Sequence, residues 1–547
     1  MNASSLAFHP GEPNVEAGHP DRARSVSPRF FPWAMLYLAL PTGLYLLTWL
    51  RPVIGWPAAI LVMACVGSLF KSHEKGVAAA AFSRREIWCL AAVALLWAFL
   101  SGAGTYVPQS ADYLKHNLLI HDLETKSWPV LYETARGPRF LCYSLSYYLL
   151  PSAIGSAGGE AVGNIAFLLW TAAGFFLVLY WIGSMNSARP WSTLGIFLLV
   201  AGLQFLWQYT HRHFIPMLAH SPPDADPLQV LGLLSDYTPA LVKGFWTPQH
   251  DLAGWLGIAL LYELLYVRGR VGSSFLAWTV LLGWSPLASV GLVVIPLAWL
   301  FRRPSRLVWE PVSLSAGAVL FVLQALYFSG HDPIGEKGFI WRFHSGLSWP
   351  LVVSIYALAE VLLVAICVWL IDRRWNVLEG RRTLFNVSVA LLVLLPLYKF
   401  GFFGDLRMQA ANGPCVFLAL GIACSLTHER VSRSNPFFIC LAIMVAITAA
   451  TSLLRATQYL VYKNAGPLAW RIDGVDHDLV LPNYKQKTLA SYGVTDLSAI
   501  NKISEQGKDR SPFDLAAQYL GRTDSFVFNK VLAPQQSPAA SKATSNP

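Results

Sequence analysis

Long apolar runs constrain this 547-residue chain more than any other feature of its sequence. A membrane-crossing helix needs about 20 apolar residues, and the chain repeats runs of roughly that length between residues 31 and 455. Two shorter apolar halves at 272–301 are broken at Ser285-Pro286, and a further short run covers 139–154. These runs predict an all-α, polytopic transmembrane helical bundle of about 11–13 spans. The predicted spans lie at 31–50, 53–70, 87–104, 161–184, 191–209, 250–267, 308–328, 350–371, 383–400, 411–427 and 436–455, with the broken pair at 272–301.

Composition supports a membrane protein and excludes several soluble classes. Hydrophobic residues make up 54% of the chain and charged residues only 13%, against about 25% charged in an ordinary soluble domain. The formal net charge of +10 does not indicate a nucleic-acid partner, because the Lys and Arg residues sit in short loops between apolar runs. The seven cysteines include no CxxC pair, which excludes a disulfide framework or a cysteine-based metal site.

The distribution of positive charge predicts the topology and the domains. Threading the basic loops to the cytoplasmic side places the N-terminus inside and the C-terminus in the extracytoplasmic space. A disordered leader is expected at 1–30, a membrane domain at 31–455, a small extracytoplasmic region at 456–533 and a disordered tail at 534–547. The long polar loops then share the outer face. They are 105–138, 210–249, 329–349 and 401–410.

The first outer loop carries the candidate catalytic acid. From Ala111 to Glu124 its pattern is helical, and Asp112, Lys115 and His116 fall on one face at i, i+3 and i+4. A carboxylate at the membrane boundary can act as general base on a hydroxyl, which is the role predicted for Asp112. Asp122 is the alternate candidate. The alternative interpretation is an interfacial anchor helix whose charges are only solvated.

The outer loops also contain cations suited to a phosphate. Histidine and arginine near a span end favour an anion, and the planar arginine fork binds phosphate in bidentate fashion. The alternative is that histidine rings simply settle at the membrane interface. No zinc site is predicted, although carboxylates plus phosphate could hold a divalent cation such as Mg²⁺ or Mn²⁺ without a motif. The candidate phosphate-binding residues are Lys115, His116, His211, Arg212, His213, His250, Arg342 and Arg407.

Short motifs in these loops resemble a known type of enzyme. They are Asp-Tyr-Leu-Lys-His-Asn at 112–117, Trp-Pro at 128–129, Trp-Thr-Pro-Gln-His at 246–250, Gly-Asp-Leu-Arg-Met at 404–408, and YLGRTDSFVFNKVLAP near the end. The order resembles little-characterised bacterial multi-pass proteins similar to GT-C-type glycosyltransferases, over roughly residues 100–455. The chain departs from that pattern in two ways. Two spans precede the one that should be first, and Gly404 stands where those proteins have Asn.

The resemblance implies an integral membrane glycosyltransferase at the outer face of the bacterial inner membrane. It would transfer a sugar from a polyprenyl-phosphate donor to an envelope acceptor, among membrane lipids. The comparison implies that Asp112 is the catalytic acidic residue, and that Lys115, His116 and His250 line the site. Two alternatives stay open. Glu360 inside an apolar run and the break at Ser285-Pro286 would suit a transporter or flippase, and the outer loops would suit a non-enzymatic envelope assembly protein.

Overall fold

The structure is a computed structural model, and most of the apolar part of the chain is described in it. It describes residues 30–71, 82–107, 109, 113–134, 137–186, 188–203, 237–246, 248–302, 307–332, 337–342, 348–401, 404–464, 496–497 and 518–534. The described residues are mostly helical, as predicted. The helices before residue 300 are α1 (Phe30–Trp49), α2 (Pro52–Lys71), α3 (Arg84–Ser101), α4 (Tyr113–Thr125), α5 (Ser146–Gly158), α6 (Glu160–Ser184), α7 (Pro190–Leu199), α8 (Ala240–Lys243), α9 (Pro248–Leu261), α10 (Val271–Leu282), α11 (Pro286–Gly291) and α12 (Val294–Arg302).

The second half of the chain continues in the same way. Its helices are α13 (Pro311–Ser329), α14 (Ser348–Ala357), α15 (Leu363–Trp375), α16 (Arg382–Leu394), α17 (Asp405–Ala410), α18 (Asn412–Thr427), α19 (Pro436–Asn464) and α20 (Phe526–Lys530). Single π-helical turns extend α9 over Tyr262–Val267 and join α14 to α15 over Leu358–Leu362. Such turns are uncommon in proteins and are frequent at functional sites.

Among the described residues, five stretches of helix are long and apolar enough to cross a membrane: Pro52–Phe70, Glu160–Ser184, Pro311–Ser329, Val353–Trp375 and Pro436–Thr457. Shorter apolar helices at Pro190–Leu199, Val271–Leu282, Pro286–Phe301, Arg382–Leu397 and Asn412–Thr427 accompany them. The prediction of a helical membrane protein is therefore confirmed at this level. The larger span count, its threading and the cellular membrane stay predictions.

The predicted helix break at Ser285-Pro286 is confirmed. Helix α10 ends at Leu282 and α11 begins at Pro286, with Ser285 between them as the N-cap. The Ser285 hydroxyl oxygen accepts the Ala288 backbone N–H at 3.2 Å. Pro286 fits the first helical position because the N–H it lacks would have no partner within the helix there. This break brings polar backbone and side-chain groups between two apolar helices.

Short strands occur where only helices and loops were predicted. Strands β1 (Leu131–Thr134), β2 (Gly137–Leu141) and β5 (Leu520–Arg522) form an antiparallel sheet in the order β1-β2-β5. Strands β3 (Lys337–Phe339) and β4 (Tyr398–Phe400) form a second antiparallel pair. Runs this short carry too few alternations of polar and apolar residues to be recognised in a sequence.

The C-terminal segment 518–534 packs against the connections at one end of the long helices. Strand β5 pairs with β2, and the Asp332 N–H donates to the Leu520 carbonyl at 3.0 Å. The Arg51 N–H, in the α1–α2 connection, donates to the Val531 carbonyl at 2.9 Å. Parts of the predicted outer loops 105–138 and 329–349 thus contact the C-terminal segment 518–534 directly.

Several of the basic loops lie at the other end of these helices. The Trp191 indole N–H donates to the Glu86 carboxylate at 3.0 Å, and Arg381 donates to the Met185 carbonyl at 3.0 Å. Helix α6 has 25 residues, so its first residue, near α4, and its last, near Met185, lie about 36 Å apart. The two sets of loops are therefore well separated along the helices.

Candidate functional site

The candidate site is organised around α17, a six-residue helix after β4. It begins beyond Gly401 and Gly404, both of which have positive φ, at 77° and 73°. Only glycine adopts this region readily, and a Cβ at Gly401 would collide with the Asp405 carboxylate. The two glycines therefore let the chain turn tightly from β4 into α17. Helix α17 carries Asp405, Arg407 and Gln409, and it packs against α9 and α11.

His250, at the start of α9, is fixed by hydrogen bonds through both ring nitrogens. Its Nδ1 lies 2.9 Å from the Ser285 hydroxyl oxygen, and its Nε2 lies 3.3 Å from the Tyr143 hydroxyl oxygen. The Ser285 hydroxyl donates to the Gln409 side-chain oxygen at 3.0 Å. Since the single proton of Ser285 is used there, Nδ1 of His250 is the donor to Ser285. We call Tyr143, His250, Ser285 and Gln409 the His250 network.

Tyr143 is the half-buried end of this network and lies between β2 and α5. Its ring centroid is 4.5 Å from that of Tyr519 in the C-terminal segment. Burial raises the pKa of the Tyr143 hydroxyl well above its usual value; Tyr519 and Asp405 raise it further, and the Lys115 ammonium lowers it. The phenol is therefore neutral at physiological pH. These influences place Lys115 and Asp405 in the electrostatic neighbourhood of one hydroxyl.

A second set of buried polar groups lies directly beside the His250 network. Lys243 donates to the Met408 carbonyl at 3.0 Å and also to the Asn412 side-chain oxygen. The Asn412 amide donates to the Asp251 carboxylate at 2.8 Å and to the His250 carbonyl at 3.2 Å. Lys243, Asp251 and Asn412, here the Lys243 network, are all buried. A buried charge of this kind is tolerated only when it is paired and hydrogen-bonded.

Arg407 is buried on the other side of α17, with 3% of its surface exposed. Its guanidinium lies 5.2 Å from the centroid of the Tyr356 ring, which is within the range of a cation–π contact. Tyr237 packs edge-on against Tyr356, and the Tyr237 N–H donates to the Glu360 carboxylate at 3.4 Å. Glu360 is fully buried in the π-helical turn between α14 and α15.

Helix α4 confirms the helix predicted over 111–124. Lys115 and His116, which were predicted to share one face, differ in their burial. His116 does not share an open face with Lys115, because it is buried against α5. Its Nδ1 lies 2.6 Å from the Tyr148 hydroxyl, and the two rings stack at 5.7 Å between centroids. Lys115 is half-buried. The periodicity of α4 alone did not reveal that an aromatic ring on α5 would accept the histidine.

Asp122, the alternate acid, belongs to a different group of residues. Its carboxylate accepts the Tyr132 hydroxyl at 2.9 Å and the Leu497 N–H at 3.0 Å, and Lys126 lies 3.4 Å away. Lys126 also pairs with Asp496 at 2.8 Å. We call Asp122, Lys126, Tyr132, Asp496 and Leu497 the Asp122 cluster. Burial raises the pKa of Asp122 despite the nearby Lys126.

The structure does not support Asp122 as the base that activates a substrate hydroxyl. Its exposed surface is 0%, and Leu497, from the predicted C-terminal region 456–533, covers it. A general base must be within hydrogen-bond reach of the proton that it removes, and this carboxylate is enclosed by the protein's own hydroxyl and amide groups. Its contacts are those of a link between α4, β1 and the tail.

The remaining predicted residues fall into two groups. Arg342 is exposed in the turn after β3, so the structure does not bring it into the His250 network. Asp112, His211, Arg212 and His213 lie outside the described residues. Asp112 directly precedes the first residue of α4, which fixes only its place in the chain. Within the described ranges no three His, Cys, Asp or Glu side chains are grouped to hold a metal ion.

Several members of the two networks were not among the predicted site residues: Tyr143, Lys243, Asp251, Ser285, Gln409 and Asn412. One signal in the sequence could have identified Lys243, a lone charge between apolar residues just before a predicted span. Ser285 stood at the helix break, but nothing in the sequence linked it to His250. Comparison of the chain with protein-family models, curated protein sequences and solved structures found no match.

Proposed function

We propose that this protein is an integral membrane glycosyltransferase that uses a polyprenyl-phosphate-linked sugar and an acceptor of the cell envelope. One observation carries the proposal. Four segments that are distant in the sequence gather charged and hydrogen-bonding side chains around α17, among apolar helices. Cations held beside a lipid-exposed helical body suit a substrate that has a charged phosphate and an apolar chain.

The arrangement has a buried part and an accessible part, as an active site needs. Lys243, beside α17, and Arg407, on α17, are buried, whereas Tyr143, His250 and Lys115 are half-buried. Buried charges are costly to maintain, so their concentration at one place is more often functional than structural. Lys115, Lys243 and Arg407 supply positive charge that could pair with a phosphate group, and the acids Asp251, Asp405 and Glu360 lie in the same region.

In the proposed reaction Asp112 takes the proton from the acceptor hydroxyl. The hydroxyl oxygen forms a bond to the anomeric carbon of the sugar as the bond from that carbon to the phosphate oxygen breaks. The phosphate leaves with the electron pair, and the cations offset its developing charge. We place this chemistry at the outer face of the bacterial inner membrane, the side on which Asp112 is predicted to lie.

Paired substitutions on the first outer loop test the proposal. Asp112→Asn should lower transfer from a radiolabelled decaprenyl-phosphate sugar by about 100-fold or more, measured with purified protein in liposomes and an envelope extract as acceptor. Asp122→Asn is the matched variant, since its amide can still accept the Tyr132 and Leu497 hydrogen bonds, and it should retain transfer. Full transfer by a correctly inserted Asp112→Asn protein would remove Asp112 from the mechanism.

One observation favours a transporter or flippase as the second candidate. Glu360 is fully buried in a π-helical turn within an apolar helix, and ionisable groups at such positions are typical of transport pathways. Under this alternative, Glu360→Gln would abolish movement of the lipid-linked sugar across a liposome membrane, and wild-type protein would form no new glycosidic product. Formation of such a product by wild-type protein would exclude pure transport.

A further inference from the structure

We propose that Tyr143 is a further catalytic residue, whose hydroxyl contacts the phosphate of the lipid donor, and that His250 is a positioning residue acting through Tyr143. This inference rests on the proposed function and assigns particular residues within it. It changes the predicted role of His250, which becomes the partner of the phosphate-binding group instead of a phosphate ligand itself.

The direction of the hydrogen bonds in the His250 network supports this assignment. The Ser285 oxygen accepts from the Ala288 N–H and from Nδ1 of His250, and its own proton goes to Gln409. Nε2 is then the only ring nitrogen that can change its role. In the neutral ring it accepts the Tyr143 proton; in the imidazolium it donates to the Tyr143 oxygen, which leaves the phenolic proton for another acceptor.

The network is rigid at its buried end and accessible at the other. Ser285 is fully buried and is held as the N-cap of α11. Tyr143 and His250 are half-buried. Their hydrogen bond, at 3.3 Å, is longer than the 2.9 Å between His250 and Ser285. Catalytic hydrogen bonds are often long before the substrate binds and tighten afterwards.

The surroundings of the Tyr143 hydroxyl fit an anion. The Lys115 ammonium favours negative charge at this hydroxyl, and Asp405 opposes it. Lys115 is therefore the cation that would pair with the phosphate. The charged groups around the Tyr143–His250 pair are Lys115 on α4, Asp251 on α9, Lys243 on α8 and Asp405 on α17.

The chemical step needs no net proton transfer from Tyr143. When the glycosidic bond breaks, its electron pair stays on the phosphate oxygen. With His250 as the imidazolium, Nε2 donates to the Tyr143 oxygen, and the Tyr143 O–H donates a hydrogen bond to the phosphate oxygen. Burial raises the pKa of the phenol, so the proton stays on Tyr143 throughout. Hydrogen-bond donors that are aimed at developing charge stabilise a transition state more than the ground state.

Three variants of the full-length protein test the inference: Tyr143→Phe, His250→Gln and the double variant. Tyr143→Phe should lower transfer about 100-fold, the usual effect of removing one donor to a developing charge. It should weaken binding of decaprenyl phosphate, measured by native mass spectrometry, about tenfold. His250→Gln should have a smaller effect. The double variant should equal Tyr143→Phe alone, because coupled residues are not additive.

Tyr147→Phe is the matched control. It removes the hydroxyl of a tyrosine four residues along the chain, which bonds Thr171 at 2.5 Å and takes no part in the His250 network. Its transfer and binding should be unchanged. If Tyr143→Phe does not accumulate, His250→Gln carries the test, with transfer reduced about tenfold and thermal unfolding near that of the wild type.

Two results would overturn the inference. One is wild-type transfer and lipid binding by Tyr143→Phe; the other is fully additive losses in the double variant, which would mean that His250 does not act through Tyr143. A different result would separate this inference from the proposed function. If wild-type protein binds decaprenyl phosphate in a Tyr143-dependent way but transfers no sugar, the phosphate contact stands and the glycosyltransferase proposal fails.

Discussion

The Asp122 cluster and the Lys243 network are both built on a buried carboxylate and a lysine, but they are enclosed in different ways. In the Asp122 cluster the lysine is 30% exposed and pairs with two acids, and a tail residue covers Asp122. In the Lys243 network the lysine is buried and reaches Asp251 only through Asn412. The first links surface segments, whereas the second lies beneath half-buried His250 and Tyr143.

The difference shows that burial of an acid does not by itself indicate function. Asp122 has the features of a perturbed carboxyl group, with burial that raises its pKa, yet its oxygens face the protein's own donors. The Lys243 network supports His250 through the bond from Asn412 to the His250 carbonyl. What distinguishes a candidate site is therefore a continuous set of contacts that ends in side chains a substrate can reach.

Removing the lysine from each group should give the largest contrast. Lys243→Met leaves Asp251 buried without its compensating charge, which should lower the free energy of unfolding by about 3–5 kcal/mol and abolish transfer. Lys126→Met should cost less than about 1 kcal/mol, because Lys126 is partly exposed to solvent. Urea or thermal unfolding of the purified proteins in one detergent measures both.

A second substitution makes this contrast sharper. Adding Asp251→Asn to Lys243→Met removes the uncompensated charge, so it should restore much of the lost stability. Equal costs for the two lysine substitutions would contradict the distinction between the two groups. No rescue by Asp251→Asn would show that Lys243 acts by something other than charge compensation.

Glu124, on the same helix as Asp122, should make stability depend on pH. Burial, together with Glu160, raises its pKa to about 7, and its carboxylate fills the space beside Gly155 and Gly163. The folded protein thus binds this proton more tightly than the unfolded chain, so the contribution of Glu124 to stability falls as pH rises from about 4.5 to about 7.

The corresponding variant is Glu124→Gln. It should raise the melting temperature at pH 8 by a few degrees relative to the wild type and should give no gain at pH 4.5, measured by thermal unfolding across the pH range. Glu133→Gln, at a nearby exposed position of β1, is the control and should leave the profile unchanged. A gain for Glu124→Gln that is equal at both pH values would contradict the assigned pKa.

The smallest effect is expected at Arg342, which is exposed, whereas Arg407, the other predicted phosphate-binding arginine among the described residues, is buried. Arg342→Ala should change the free energy of unfolding by less than about 0.5 kcal/mol and should leave binding of decaprenyl phosphate near the wild-type value. Arg407→Ala, at a buried position, should weaken that binding clearly. A loss of binding in Arg342→Ala as large as in Arg407→Ala would extend the site to the β3–β4 strand pair.

The sequence determined the elements that depend on neighbouring residues. Apolar length predicted the helices that could cross a membrane, the i, i+3, i+4 pattern predicted α4, and Ser285-Pro286 predicted the break before α11. Each of these signals is local, because helix periodicity and proline geometry act within a few residues. His250 was identified for the same reason, as a polar residue at the start of an apolar run.

The tertiary structure alone decided which polar residues meet. Asn412 contacts both Asp251 and Lys243, the latter 169 residues earlier in the chain, and Tyr143 reaches His250 from another segment. His116 is buried because it bonds and stacks against Tyr148 on α5. Asp122 is enclosed because Leu497, far along the chain, contacts its carboxylate. Such meetings depend on how apolar faces pack in three dimensions, and residue spacing along one chain carries little information about that packing.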